Sequence, residues 1–198
     1  MIRRHVRTLS IIPCTFTGRT RPENLNQRLN TNGPLDGTGL RYIPIPHNGN
    51  QSESPEEVAE VRDLINNLFA SGATWTDKTG EHGAPKLDDI LVVAPYNAQV
   101  SALAKALPIG ARVGTVDKFQ GQQAAVVIYS MTTSTPEDAP RGMEFLYSLN
   151  RLNVAVSRAQ CVAVIVASPA LLQVECKTPR QIQLANALCR YLEMAHSE

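Results

Sequence analysis

The sequence predicts an α/β fold in which a mostly parallel sheet carries helices on both of its faces. From Leu40 onward, short apolar runs of strand length alternate with segments of helical periodicity, a pattern typical of parallel sheets. The chain has 198 residues, of which 43% are hydrophobic and 19% are charged, so it is long enough to bury one sizeable core. Together these observations predict one globular α/β domain.

Five strands and three helices of ten or more residues are predicted along the chain. The strands are expected at residues 40–45, 90–94, 112–116, 125–131 and 161–167, and the helices at 55–71, 97–107 and 179–194. The first helix begins at the run SPEE of residues 54–57, which has the form of a capping box with proline at the first helical position. Pro108 ends the second helix. Residues 72–85 are predicted as a polar loop, and residues 132–142 as an exposed connection.

The overall charge is small but unevenly distributed. The formal net charge of +1 excludes a strongly basic nucleic-acid-binding protein. Residues 1–41 contain seven arginines against Glu23 and Asp36, so this region carries a net charge of +5. The four cysteines have neither metal-ligand nor redox-pair spacing, and no apolar run approaches the length of a membrane span. A cytoplasmic location without membrane contact is expected.

Two arginines in the C-terminal third of the chain have a distinctive spacing. The run NRLNVAVSRA at residues 150–159 places Arg151 and Arg158 at helical spacing, just before the last predicted strand. Both guanidinium groups are therefore expected on one face of a short helix. Arginine binds phosphate oxygens bidentately and keeps its charge at any working pH. The pair predicts a polyphosphate-binding surface, with two solvated helix positions as the alternative.

Three runs, in this order along the chain, carry a family resemblance. Residues 90–99 read ILVVAPYNAQ, residues 113–123 read VGTVDKFQGQQ, and the third run is that at 150–159. They resemble motifs IV, V and VI of superfamily 1 helicases, in the branch that contains the RNA-surveillance helicases and the replication helicase-nucleases. The resemblance covers about residues 39–170. It implies the second, C-terminal RecA-like domain of such a helicase.

The domain boundaries follow from where the resemblance starts and stops. Residues 1–38 are an arginine-rich segment that matches the family poorly, residues 39–175 form the RecA-like domain, and residues 176–198 form a C-terminal helix. Two origins for such a chain remain open. One is a truncated gene product, and the other is a separately encoded half that meets its partner in trans.

The matching positions imply a nucleotide-binding surface and a nucleic-acid-binding surface. Arg158 matches the catalytic arginine that reaches the γ-phosphate of ATP from the opposite domain, and Arg151 is expected to support its helix or the neighbouring elements. The implied nucleotide-binding residues are Tyr96, Gln120, Gly121, Gln123 and Arg158, and the implied nucleic-acid-binding residues are Gly114, Thr115 and Asp117. Since ligands of open parallel sheets collect beyond the carboxyl ends of the strands, all three motifs are expected at that edge.

Two of these positions leave alternatives open. Gln123 stands where many relatives have a glutamate associated with the nucleotide sugar, so an acceptor is kept without its charge. Tyr96 can stack on a base or pack under the end of its strand.

The elements that hydrolysis requires are missing from the sequence. Gly72 followed by DKT at residues 77–79 has the spacing of a phosphate loop, but an aspartate replaces the second glycine and would repel phosphate. Asp88 and Asp89 precede their strand, whereas metal-binding acids should follow one. ATP and Mg²⁺ are therefore expected only together with a first RecA-like domain, in cis or in trans, and no metal site is expected in this chain. The implied function is the C-terminal half of an ATP-dependent helicase acting on single-stranded DNA or RNA, and this half is expected to be inactive alone.

Two functions from other classes are kept as alternatives. A non-catalytic module that binds nucleic acid or a protein partner would show appreciable affinity as an isolated chain, and the small net charge predicts weak, salt-sensitive nucleic-acid binding. A metal-dependent nuclease is suggested by Glu175 and Lys177 with Asp138 upstream. That site would require the Glu-x-Lys run to lie on a strand beside the first acid, and it is predicted to lie in a loop.

Overall fold

The centre of the molecule is a sheet of five parallel strands. The computed structural model describes residues 27–119 and 121–195. In chain order the elements are β1 (Arg28–Asn30), β2 (Gly39–Pro44), α1 (Pro55–Ala70), β3 (Thr74–Thr76), β4 (His82–Gly83), β5 (Ile90–Val93), α2 (Asn97–Ala106), β6 (Arg112–Gly114), β7 (Ala124–Ser130), α3 (Met143–Leu146), α4 (Leu149–Val156), β8 (Ala159–Ala167) and α5 (Pro179–Ala195). The main sheet has the order β2-β8-β7-β5-β6, and every neighbouring pair is parallel. The predicted α/β class is confirmed.

The middle strands of this sheet are apolar because both of their faces are covered. All seven residues of β7 are buried, and its central Val127 is aligned with Leu91 of β5 on one side and with Ala163 of β8 on the other. A strand covered on both faces cannot alternate polar with apolar side chains, so it appears in the sequence as a continuous apolar run. The five predicted strands therefore correspond to observed strands, with ends shifted by one or two residues.

Helices cover both faces of the main sheet, and each face has its own core. On one face α1 and α2 contribute Val61, Leu64, Ile65, Leu68 and Leu103, which pack against Val92, Val126 and Ile128 of the sheet. On the other face α3, α4 and α5 contribute Leu146, Leu152, Leu184 and Leu188, which pack against Val127, Tyr129 and Ile165. The C-terminal helix thus shares a core with the sheet. No helix in residues 27–119 or 121–195 is long and apolar enough to cross a membrane.

A second, small antiparallel sheet lies beside the first, and the prediction of a polar loop at 72–85 is wrong there. Its strands have the order β1-β3-β4, and Leu29 of β1 is fully buried against the core under α1. The side chain of Asp77 accepts hydrogen bonds from the main-chain N–H groups of Thr79 and Glu81, which closes the turn between β3 and β4. The arginine-rich segment predicted at 1–38 lies outside the described residues up to position 26.

The connection that follows β7 is buried where it leaves the sheet, so the prediction of an exposed segment at 132–142 is wrong for its first part. Thr132, Thr133 and Ser134 are fully buried. Thr132 has a φ of 74°, a conformation that costs a non-glycine residue energy and persists only where its surroundings enforce it. Polar residues in this position require internal hydrogen-bond partners, and the partners come from Glu57 of α1 and from residues 47–51, which precede that helix.

Candidate nucleotide and nucleic-acid surfaces

The predicted site residues are divided between opposite edges of the main sheet. Tyr96 follows β5, and Thr115 and Asp117 follow β6, so these three lie at the carboxyl edge. Gln123 and Arg158 immediately precede β7 and β8, at the amino edge. The expectation that all three motifs gather at the carboxyl edge is therefore wrong for these two residues. In a parallel sheet, each connection returns the chain from the carboxyl edge to the amino edge before the next strand begins. The segment after β6 and the helix α4 make these crossings, so Gln123 and Arg158, which follow them, lie at the amino edge.

Arg158 lies in the turn that joins α4 to β8. Both its main-chain N–H and its main-chain carbonyl form hydrogen bonds. Its N–H donates to the carbonyl of Ala155 at 3.2 Å, and its carbonyl accepts from the N–H of Ala124 at 3.1 Å. The Nε atom of Arg158 is buried and has no hydrogen-bond partner among the described residues. A buried donor without a partner costs about 1–3 kcal/mol. The turn thus holds a half-buried guanidinium with one donor that is unsatisfied among the described residues.

Two of the other predicted nucleotide-binding residues, Gly121 and Gln123, lie in the segment that leads into β7. Gln123 is exposed, and its Oε1 accepts from Nε2 of Gln160 at 3.3 Å. Gly121 has a φ of 82°, and nothing lies within 4 Å of the position of an added Cβ. Glycine is therefore favoured here by the positive φ of the backbone and not by a close neighbouring atom. Gln120 lies outside the described residues. The amino edge therefore brings Gln123 next to the start of β7 and Arg158 next to the start of β8.

The turn after β6 explains the glycine of motif V in physical terms. A Cβ on Gly114 would lie 2.5 Å from Cδ of Lys118 and 3.1 Å from the ring of Phe119. Lys118 folds back over this glycine, and its Nζ donates to the carbonyl of Val113 at 2.8 Å. Gly114 is buried, whereas Thr115 is half-buried and Asp117 is exposed. Of the three predicted nucleic-acid-binding residues, Gly114 therefore shapes the turn and the other two reach the surface.

Tyr96 packs under the end of its strand, which is one of the two alternatives left by the sequence. It is the residue before α2, is only 7% exposed, and its ring lies 5.6 Å from that of Phe145. Burial raises the pKa of the Tyr96 hydroxyl above its usual value.

Phe145 is a residue that the sequence analysis missed. Cζ of Arg141 lies 4.1 Å and Cζ of Arg151 lies 4.3 Å from the centroid of the Phe145 ring. Arg151 also approaches Asp117, with 4.0 Å between Nη2 and Oδ2. We call Arg141, Phe145 and Arg151 the Phe145 cluster. Arg151 thus contacts two neighbouring elements, α3 through Phe145 and the turn after β6 through Asp117.

A buried polar network also escaped the sequence analysis. The capping box at Ser54 forms only in part, because Ser54 Oγ accepts from the N–H of Glu57 while the Glu57 carboxylate turns away into the protein. That carboxylate accepts from Ser130 Oγ, from the Thr132 N–H at 2.8 Å and from His47 Nε2 at 3.0 Å. The network ties the first turn of α1 to the end of β7.

The residues suggested for a phosphate loop and for a nuclease occupy unsuitable structures. Residues 77–79 lie in the hairpin turn between β3 and β4, where no helix follows. Glu175 and Lys177 lie in an irregular segment before α5, and Asp138 accepts from the Thr135 hydroxyl at 2.8 Å. Within residues 27–119 and 121–195 no three potential metal ligands are grouped.

Comparison with known proteins gives a consistent family. A family model described as "AAA domain" matches residues 44–170. The chain is 32% identical over 131 residues to "Probable RNA helicase armi" of Drosophila melanogaster, covering 62% of this chain and 10% of that protein. It is 33% identical over 158 residues to "Putative helicase MOV-10" of Gallus gallus, covering 67% of this chain and 16% of the relative.

The name of a third relative refers to DNA replication. The chain is 25% identical over 120 residues to "DNA replication ATP-dependent helicase/nuclease JHS1" of Arabidopsis thaliana, covering 60% of this chain and 8% of that protein. The chain thus spans a small fraction of the length of each of these relatives. The family match covers more than half of the chain and includes all three motifs, so the chain belongs to the AAA-domain family and is a superfamily 1 helicase domain.

Proposed function

We propose that this chain is the C-terminal half of an ATP-dependent superfamily 1 helicase that moves along single-stranded DNA or RNA. In this proposal a first RecA-like domain, in cis or in trans, holds ATP and Mg²⁺, and this domain closes the nucleotide site from the other side. The family match and the helicase relatives support the helicase assignment.

The observation that carries the catalytic part of the proposal is the Nε atom of Arg158, which is buried and unpaired among the described residues. The turn that carries Arg158 is fixed by main-chain hydrogen bonds to α4 and to β7. A preorganised guanidinium needs little rearrangement when it meets developing charge. These features fit an arginine that acts on a phosphate group brought by another domain.

ATP supplies the phosphoryl group whose transfer to water releases energy, and Mg²⁺ neutralises its charge. The residues of this chain have three roles in the proposal. Arg158 donates to the γ-phosphate oxygens and stabilises the charge that develops on them. Gln123 and Gly121, at the same edge of the sheet, contact the nucleotide. Thr115 and Asp117, at the opposite edge, face the nucleic acid.

The compartment is part of the same proposal. Cys161, Cys176 and Cys189 are all free thiols, which is typical of a reducing environment. We place the protein in the cytoplasm on this ground.

The proposal is tested in a two-domain helicase completed with a first RecA-like domain. Arg158→Ala should lower the rate of ATP hydrolysis on the order of a thousandfold, with a smaller effect on nucleotide binding. Arg158→Lys keeps the charge but loses the planar fork, so it should restore activity only in part. Arg190→Ala is the matched control, because Arg190 is exposed on α5, where it pairs with Glu193.

Two results would contradict the proposal. One is normal hydrolysis by the Arg158→Ala helicase. The other is a loss of activity accompanied by unfolding, which circular dichroism and thermal melting would reveal.

A further inference from the structure

The connection that leaves β7 passes through a residue in an unfavourable backbone conformation. Thr132 has a φ of 74°, and it is the only residue other than glycine with a positive φ in residues 27–119 and 121–195. For an L-residue this region is less populated by roughly a factor of ten, and a β-branched side chain disfavours it further. Thr132 therefore holds this conformation only because its surroundings impose it.

The contact that imposes it is a buried carboxylate. Oε2 of Glu57 accepts from the Thr132 N–H at 2.8 Å and also from the hydroxyl of Ser130. Its other oxygen, Oε1, lies 3.0 Å from Nε2 of His47, and the Glu57 side chain is fully buried. An ionised carboxylate only accepts hydrogen bonds, so one charge satisfies all three neighbours. The main-chain N–H of Thr132 thus makes a charge-assisted hydrogen bond, which is stronger than a neutral one.

The next two residues of the connection are held by main-chain groups of the loop after β2. The Thr133 hydroxyl donates to the carbonyl of Gln51 at 2.8 Å. The Ser134 N–H donates to the carbonyl of Asn50 at 2.9 Å, and the Ser134 hydroxyl accepts from the Asn50 N–H at 2.9 Å. These bonds attach the connection to the loop, but none of them acts on the residue with the positive φ. The unfavourable φ is therefore balanced mainly by the buried carboxylate.

We propose that residues 131–134 form a two-state connection whose state is set by Glu57. In the closed state, which the structure shows, the carboxylate holds Thr132 at a positive φ and the connection lies against residues 47–51. In the released state Thr132 returns to a negative φ, the connection leaves this loop, and its main-chain N–H groups face solvent. Strained residues in packed surroundings favour two discrete arrangements over a continuous deformation.

The position of Glu57 in the first turn of α1 makes the connection sensitive to that helix. A displacement of this turn withdraws the carboxylate from Thr132 and releases the connection. Arg141 lies in the same segment between β7 and α3 and belongs to the Phe145 cluster, so release also changes the support of that cluster. The device goes beyond the proposed function, because it is a property of this domain alone and requires neither ATP nor nucleic acid.

Hydrogen exchange followed by mass spectrometry on the complete 198-residue chain tests the two states. Peptides that cover residues 131–135 report on the connection, and peptides from β8 report on unfolding of the sheet. Glu57→Gln removes the charge and keeps the shape of the side chain. Thr132→Gly removes the cost of the positive φ, whereas its matched control Thr132→Val loses the hydroxyl and keeps the β-branch. Glu53→Gln is the control for charge, because Glu53 is exposed just before α1.

The expected result is a local effect that Thr132→Gly reverses. Glu57→Gln should accelerate exchange at residues 131–135 by about tenfold more than in β8, the factor that corresponds to the loss of one hydrogen bond to a charged group. Adding Thr132→Gly to this variant should slow exchange at these residues several-fold, because the closed state no longer carries the cost of the positive φ. Adding Thr132→Val should not slow it, and Glu53→Gln should exchange like the wild type.

The test does not depend on the folding of the Glu57 variant, because Thr132→Gly alone should also slow exchange at residues 131–135 relative to β8. Two results would overturn the proposal. One is exchange that Glu57→Gln accelerates equally in the connection and in β8, or in neither. The other is exchange at residues 131–135 that Thr132→Gly leaves unchanged in both backgrounds. None of these measurements uses ATP or nucleic acid, so their outcome is independent of the Arg158 test of the proposed function.

Discussion

Nε2 of His47 lies 3.0 Å from Oε1 of Glu57, and both side chains are fully buried. Nδ1 of His47 lies 2.7 Å from Oγ of Ser134, so the imidazole joins the first turn of α1 to the connection after β7. Gln99 of α2 donates from Nε2 to Ser130 Oγ at 2.8 Å and extends the network to a third element. Since buried charged groups are costly without partners, each member depends on the others.

The first prediction concerns Glu57→Gln, which keeps the shape of the side chain but loses its charge. The amide nitrogen replaces an oxygen that either accepts from Ser130 and Thr132 or faces His47, so the network loses at least one charge-assisted hydrogen bond. The free energy of unfolding should fall by about 1–3 kcal/mol, as measured by urea denaturation. Glu53→Gln, at an exposed position before α1, should change it by less than about 0.5 kcal/mol. Equal stability of the two variants would show that the network contributes nothing.

The second prediction uses the close approach of Lys118 to Gly114. Gly114→Ala should destabilise the domain by about 1–3 kcal/mol, because the added methyl group meets packed atoms. In combination with Lys118→Ala the cost of the alanine should be smaller, since the atom at 2.5 Å is then absent. Gly83→Ala is the control, because nothing lies within 4 Å of its added Cβ. A double-mutant cycle in urea with no coupling between positions 114 and 118 would contradict this explanation of the glycine.

A third prediction follows from the thiol of Cys161. Burial raises its pKa from 9.0 to about 11, so in the native protein it keeps its proton at a pH where the unfolded chain has lost it. The unfolded state then binds fewer protons, and stability should fall as pH rises from about 9 to about 11. Urea midpoints at pH 8 and pH 10 should therefore differ less in Cys161→Ala than in the wild type. Identical pH dependence in the two proteins would exclude a contribution from this thiol.

A fourth prediction tests the substitution of amide for carboxylate at Gln123. In a two-domain helicase, Gln123→Glu should lower the KM for ATP if this position meets the nucleotide sugar, because a carboxylate is the stronger acceptor. The partner Gln160 donates to the present side chain from 3.3 Å and can donate to a glutamate equally well. An unchanged KM for ATP would show that residue 123 does not contact the nucleotide sugar. Steady-state kinetics of both proteins at the same salt concentration provides the comparison.

Sequence patterns predicted those parts of the fold in which local chemistry and burial agree. The apolar runs that became β5, β7 and β8 are continuous because both of their faces are covered. The hairpin of β3 and β4 was missed because its strands are two or three residues long and contain polar residues and glycine. Residues 132–134 were predicted as exposed because Thr and Ser are mostly exposed, while their hydrogen-bond partners Glu57, Gln51 and His47 are 75, 82 and 87 positions away in the chain.

The same reasoning applies to the candidate site. Arg158 was recognised by its motif. Which edge of the sheet it occupies depends on where the chain crosses a face of the sheet, and the spacing of residues in the sequence does not show where that crossing occurs. Phe145 was missed because its two cationic partners come from different segments, one before α3 and one within α4. Contacts within one helix turn leave a periodic signal in the sequence, whereas contacts between segments do not.

Helix α4 connects the carboxyl edge of the main sheet to its amino edge. Its eight residues span about 12 Å, with Arg151 in its first turn toward the carboxyl edge and Arg158 just beyond its last turn at the amino edge. Leu152 and Ala155 pack this helix against the core of the sheet, so a displacement of one end of the helix also displaces the other end. The two edges of the sheet that carry the predicted nucleotide-binding and nucleic-acid-binding residues are therefore joined by one helix about two turns long.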